Sequence, residues 1–345
     1  MEVAYSIYLF RSNIYKDLKD YQAALADANQ LIKLQPNDGS GYFTQSNIYS
    51  DLKDYQAALG DANQWIKLEP KNANAYLSRS IIYKDLKDYQ AALADGNEAI
   101  QLQPDLAQAY SVRSGVYQNL KNYQAALADL DQLLKLQPND ALSYAIRGIL
   151  QYRLKDYHRA LVDLDRAIIL QPNDAIAYLL RGDIHQRLKD YQAAITDYSQ
   201  SIKLQPDNAN VYFSRGVVYQ KQGNYNAALS DYNQTLTKEE KLAAAIINIG
   251  YIKYEKGDVE GAIQQWQKAV QINGKLAEPQ MAIAVALYAK GEQEKALNMA
   301  QAALRLDKSW ADVEVLKKNI WGTRLIAEAQ KLLSHPTIQV LRTKE

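Results

Sequence analysis

The chain has 345 residues, 48% hydrophobic and 23% charged, a balance that belongs to a folded chain rather than a disordered one. Forty Lys and Arg side chains stand against 39 Asp and Glu, a net charge of +1, which gives no electrostatic footprint for nucleic acid or a membrane surface. No cysteine is present, which excludes disulfides, zinc–thiolate sites and thiol nucleophiles, and no run of 18 apolar residues predicts a transmembrane helix.

The opening residues, MEVAYSIYLFRSN, have neither a basic n-region nor a small-residue cleavage site and read as the start of a helix. A cytoplasmic setting is the expectation, or an exported one if a signal precedes this sequence. The chain then settles into a period of 34 residues. Pro36, Pro70, Pro104, Pro138, Pro172 and Pro206 keep it, as do Tyr21, Tyr55, Tyr89, Tyr123, Tyr157, Tyr191 and Tyr225. The beat then lands on Val259 and Gln293, each followed three residues later by alanine (Ala262, Ala296). Nine units are predicted, starting at about residues 5, 39, 73, 107, 141, 175, 209, 243 and 277. Length alone suggests about two globular domains, but a repeat array grows without adding separate cores.

Each unit predicts two helices. In the third, NANAYLSRSIIYKDL is the first, Lys87 and Asp88 make the turn, and YQAALADGNEAIQLQ is the second, stopped at Pro104. Asp88 is placed as an N-cap, its carboxylate accepting from a free amide of the second helix. Asp20, Asp54, Asn122, Asp156, Asp190, Asn224 and Asp258 hold the same place. With no β-rich stretch, the fold class is all-α. The eighth position of each unit is small (Ser12, Ser46, Ser80, Ser114, Gly148, Gly182, Gly216, Gly250, Ala284) and the twentieth is always alanine, from Ala24 to Ala296. A larger side chain there should wedge the hairpin apart at about 1–3 kcal/mol. One hairpin cannot bury its apolar face alone, so neighbours must stack.

Tyr at the fourth position, a small eighth residue, Ala at the twentieth and Pro at the thirty-second resemble the tetratricopeptide repeat, strongly over residues 5–237 and more weakly over 238–310. The wording Tyr178 to Gly182 and Asp190 to Ala194 is similar to the bacterial, cyanobacterial-like version. The resemblance implies a right-handed superhelical α-solenoid, first helices on the inner wall, and a role in protein–protein assembly.

Position seven is Arg11, Gln45, Arg79, Arg113, Arg147, Arg181 and Arg215, then Ile249 and Ile283; position twenty-three is Asp27, Asp61, Asp95, Asp129, Asp163, Asp197 and Asp231, then Gln265 and Met299. Charge leaves both positions in the same two units. Each Arg is therefore expected to meet an Asp in or next to its own hairpin, as an ion pair fixing helix orientation. An anion-binding ladder is the competing reading.

Positions two, five, nine, twelve and thirteen are expected on the inner wall, from the resemblance and from helix geometry. Position five includes Phe43 and Phe213, and position nine includes Asn47. Position thirteen runs Asp17, Asp51, Asp85, Asn119, Arg153, Arg187, Lys221, Glu255, an acidic stretch and then a basic one. Such a pattern would orient a partner more than tighten it. The candidate contact residues are Phe43, Asn47, Tyr152, Arg153, Asp183, Arg187, Phe213, Lys221 and Tyr254; core packing or a solvated helix end is the alternative for each. Repeats of this family that clamp acidic chaperone tails carry Lys at position five, which no unit has here, so chaperone-tail binding is not expected.

The three histidines, His158, His185 and His335, form no metal or nucleotide motif, and Asp163 and Asp165, two apart on a helix, point in different directions. No catalytic residue, cofactor or metal is assigned, and no enzymatic activity, membrane partner or nucleic-acid partner is expected. The domain reading is an array over 1–310 with its last two units degenerate, a capping helix over 311–335, kinked at Gly322 and ended before Pro336, and a tail over 336–345. Trp310 and Trp321 are expected to pack on the ninth unit or to form a docking surface. The expected function is a scaffold binding a peptide or helix of another protein in the concave groove; the alternative is a docking arm of a larger enzyme or signalling complex.

Overall fold

The computed structural model describes residues 2–343, and all regular structure among them is helical. It forms two compact units, one ending at Leu170 and the other beginning at Gln171. The first unit holds five hairpins: α1 (Glu2–Asp17) with α2 (Tyr21–Leu34), α3 (Gly39–Asp51) with α4 (Tyr55–Leu68), α5 (Ala73–Asp85) with α6 (Tyr89–Leu102), α7 (Ala107–Asn119) with α8 (Tyr123–Leu136), and α9 (Ala141–Arg153) with α10 (Tyr157–Leu170). The second holds four: α11 (Ala175–Arg187) with α12 (Tyr191–Leu204), α13 (Ala209–Lys221) with α14 (Tyr225–Lys238), α15 (Ala243–Glu255) with α16 (Val259–Ile272), and α17 (Ala277–Ala289) with α18 (Gln293–Leu306). Within each unit the second helix of one hairpin packs on the first helix of the next.

The hairpin turn is built locally. Lys19, Lys53, Lys87, Lys121, Lys155 and Lys189 take the left-handed conformation at φ between 57° and 63°, and Gly223, Gly257 and Gly291 take the same place in the last three hairpins. That bend lets the next amide reach back over the helix end, as Asp88 N–H does to the Tyr83 carbonyl at 2.9 Å. The Asp88 carboxylate then accepts from Ala91 N–H at 3.1 Å. Asp20, Asp54, Asn122, Asp156, Asp190, Asn224 and Asp258 cap in the same way. Each satisfies an amide that the helix itself cannot.

The small eighth residue and the alanine at the twentieth meet. Ser12, Ser46, Ser80 and Ser114 donate their hydroxyls to the carbonyls of Ala24, Ala58, Ala92 and Ala126 at 2.7–3.1 Å. Where the eighth residue is Gly, a large side chain one turn past the alanine fills the space: Leu164 against Gly148, Tyr198 against Gly182, Tyr232 against Gly216, Trp266 against Gly250. A Cβ on Gly182 would lie 2.8 Å from the Tyr198 ring. The rings of Tyr198, Tyr232 and Trp266 fit there because the eighth residue has no side chain.

After α18 the capping helix expected over 311–335 is divided next to the kink expected at Gly322. A 3-10 turn at Lys308–Ala311 leads into α19 (Val313–Lys318), then Ile320 at φ 55° breaks the path before α20 (Thr323–Leu333). Residues 336–343 are helical (α21, Pro336–Thr343) where a tail was expected; Lys344 and Glu345, the end of that expected tail, lie outside the described residues. Trp310 and Trp321, both buried, stack on each other at 6.0 Å between ring centres. Trp321 also stands 5.6 Å from Tyr251, which puts it on the eighth hairpin.

Candidate functional site

Two features of the hairpins offer chemistry, a ladder of charge between the helices and the accessible surface of the first helices. In the ladder, Arg11, Arg79, Arg113, Arg147, Arg181 and Arg215 each make a bidentate pair with the Asp of their own hairpin, with N–O distances of 2.5–2.9 Å. The aspartates are only 3–6% exposed. Hydrogen bonding to the carboxylate holds the Arg79, Arg113, Arg147 and Arg215 guanidiniums above their ordinary range, against the opposing effect of burial. A further nitrogen reaches the preceding hairpin, Arg79 to Asn63, Arg113 to Asn97 and Arg147 to Asp131, each at 2.7 Å. One side chain thus ties three helices. The pairs are structural, and all six guanidiniums spend their fork on the chain's own carboxylates.

The second hairpin is different. Gln45 stands where the arginine would, and its amide nitrogen reaches only Asn29, at 3.2 Å. Asp61 keeps a solvent-shielded Oδ2 with no hydrogen-bond partner, and burial pushes its carboxyl up to about 7. The Gln45–Asp61 mismatch stands in the sequence, but only the burial of the oxygen makes it consequential.

The first-helix surface carries the nine candidate residues. In the first unit, Phe43 is 40% exposed with its ring 4.9 Å from Trp65, and Asn47 is half-buried one turn on. Three hairpins on, Tyr152 is half-buried against Tyr157, and Arg153 is exposed with its guanidinium 5.9 Å over the Tyr123 ring. In the second unit α11 and α13 are neighbours. They carry Asp183, Arg187, Phe213 and Lys221. Burial raises the Asp183 carboxyl above its usual range, opposed by a 2.7 Å hydrogen bond from the Tyr198 hydroxyl and by the charge of Arg187. Phe213 is half-buried, 5.8 Å from Tyr232. Arg187 and Lys221 lie at the surface. Lys221 is crowded enough that desolvation pushes its ammonium down, and the like charges of Arg187 and Lys189 push the same way.

Tyr254 does not join them. It is 1% exposed, covered by the chain's own C-terminal segment, with Arg324 lying 5.1 Å over its ring and donating to its carbonyl at 3.2 Å. The reason is that α20 packs on the first helices α15 and α17. Leu325, Ala329, Leu332 and Leu333 form its buried face. Residues at positions read as inner wall share one core cluster with that face: Ile247, Tyr251 and Tyr254 in the eighth hairpin, Met281 and Tyr288 in the ninth. Glu255 accepts from the free amides of Arg324 and Leu325 at 3.2 and 3.0 Å, capping α20 from 70 residues away. Gln220, on α13, donates to the Ile320 carbonyl at 3.4 Å. A capping helix was expected here, but not that it covers the first helices of two hairpins; Leu325, Ala329 and Leu332 announce a buried face but not its partner.

A groove of about 630 Å³, also absent from the sequence reading, opens between α8, α9 and α10 beside Arg147 and Asp163, with Gln151 and Leu154 in its lining. No three His, Asp or Glu side chains converge as metal ligands among the described residues. No helix among them is long and apolar enough to cross a membrane.

Family models described as tetratricopeptide repeat match residues 5–38, 43–107 and 114–184, and one described as TPR repeat matches 187–223 and 250–291. Together they span more than half the chain. Among solved structures, a tetratricopeptide repeat protein from Parabacteroides merdae is 19% identical, the match covering 77% of this chain and 98% of that one with a TM-score of 0.52. PilF of Pseudomonas aeruginosa is 17% identical, covering 64% of this chain and 97% of that one with a TM-score of 0.51. At these identities the likeness is one of fold. No curated protein matches the sequence.

Proposed function

This chain belongs to the tetratricopeptide repeat family, and from that premise we propose that it is a protein-interaction scaffold whose first-helix surface takes an amphipathic helical segment of a partner. The observation that carries the reading is α20. On the eighth and ninth hairpins the surface already holds an amphipathic helix, packed on α15 and α17 with its leucines buried and with an acid, Glu255, on its N-terminus. Helix-in-groove recognition uses the same parts: apolar anchors at helical spacing and charge at the ends. The stretch left open on α11 and α13 offers Phe213 as the apolar element and Arg187 and Lys221 as mutually repelling cations. A partner helix carrying acidic residues beside an apolar stripe relieves that repulsion.

The test places a photo-crosslinking residue at Arg187 or Lys221 and, as a control, at the exposed Thr196 on α12. In native lysate the first two positions should give one shared adduct whose crosslinked peptide maps to a helical segment. Adducts of equal yield from Thr196, or none specific to α11 and α13, would overturn the reading.

A further inference from the structure

The ladder shows what an aspartate at position twenty-three receives. In six hairpins it holds a guanidinium in a two-pronged pair at 2.5–2.9 Å. The same guanidinium carbon lies 5.4–5.9 Å over the ring of the tyrosine at position four, from Tyr8 to Tyr212. The second hairpin keeps both halves of that receptor, Asp61 and Tyr42, and lacks the cation. Among the described residues no cation lies over Tyr42, and the Asp61 Oδ2 is without a hydrogen bond. Asp61 is also the most exposed of the series, half-buried where the six paired aspartates are buried. The face a guanidinium covers elsewhere thus carries none here, and the Asp61 Oδ2 beneath it is shielded from solvent. The corresponding face of the fifth hairpin borders the open groove lined by Arg147 and Asp163.

We propose that the second hairpin is a receptor for an arginine side chain of a partner protein, which seats its guanidinium on the Asp61 carboxylate against Tyr42 and completes the ladder from outside. The planar fork of arginine matches a carboxylate with two parallel bonds; a lysine ammonium is a point donor and cannot. Gln45 already occupies the outer contact, on Asn29, so the incoming group needs only the inner pair. The site uses residues other than those on α11 and α13, so it stands or falls separately from the α11 and α13 surface.

The probe is N-acetyl-L-argininamide, with N-acetyl-L-lysinamide as its control, titrated into the full chain at pH 8 while backbone amide shifts around Asp61 and the thermal midpoint are followed. The expected result is a saturable response to the arginine compound, with the lysine compound about tenfold weaker, the ratio set by one lost charge-assisted hydrogen bond. Gln45→Arg, which supplies the cation internally, and Asp61→Asn, which removes the acceptor, should each abolish the response. Equal responses from both compounds, from wild type and both variants, or no saturable response in wild type, would overturn the proposal.

Discussion

The carboxylate of Glu255, at the end of one first helix, accepts a hydrogen bond at 3.0 Å from the backbone amide of Leu325, 70 residues later. An acid that looks like a solvated helix end is thus the clamp that orients α20 on α15 and α17. Leu325 is fully buried beneath it.

Leu325→Ala should cost about 2–5 kcal/mol, the range for truncating a buried leucine, and Glu255→Ala about 1 kcal/mol, as for loss of a helix cap. Denaturant unfolding combined with hydrogen exchange measures both. Faster exchange should appear first in α15 and α17; exchange left unchanged there would show that α20 does not protect these helices.

Arg113 and Asp129 form a pair with the acid nearly sealed from water (side chains 18% and 5% exposed). Arg113→Ala strands that carboxylate and should cost about 3–5 kcal/mol. The double variant Arg113→Ala/Asp129→Ala should cost less than the sum of the single losses. Strict additivity in the double-mutant cycle would mean that the pair carries no coupling.

Asp61 has no such partner, and desolvation holds its carboxyl at about 7 in the folded chain, against about 3.9 when unfolded. The folded state binds this proton more tightly. Its penalty is therefore absent below about pH 4, grows as pH rises towards 7 and is complete above. Asp61→Asn should leave stability unchanged at pH 4 and raise it at pH 8 by about 1–3 kcal/mol, the usual cost of a buried unsatisfied group. Denaturant midpoints at the two pH values measure the difference; equal effects at both would place the Asp61 pKa in the ordinary range.

Gly182→Ala sets a methyl 2.8 Å from the Tyr198 ring, and should cost about 1–3 kcal/mol by overpacking. Ser80→Ala loses only its hydroxyl bond to the Ala92 carbonyl and should cost about 1 kcal/mol. Pairing Gly182→Ala with Tyr198→Leu should recover part of the loss in thermal midpoint. No recovery would mean that ring volume is not what selects glycine there.

The sequence determined those features whose partners sit at fixed, short separations. The caps at Asp20 to Asp258 act on amides three residues away, and the hairpin turns on carbonyls five residues back. The arginines pair with aspartates 16 residues on, because each hairpin sets that distance again. Periodicity makes such contacts readable, since a rule seen once is tested at every repeat. Tertiary structure decided what periodicity cannot carry. Tyr254 and Glu255 hold ordinary wall positions by spacing, yet lie under α20 because a segment beyond the repeats folds back onto them. Asp61 looks in sequence like its six relatives. The sequence shows Gln45 opposite it, but only the atoms that exclude water around it leave its Oδ2 shielded and unpaired.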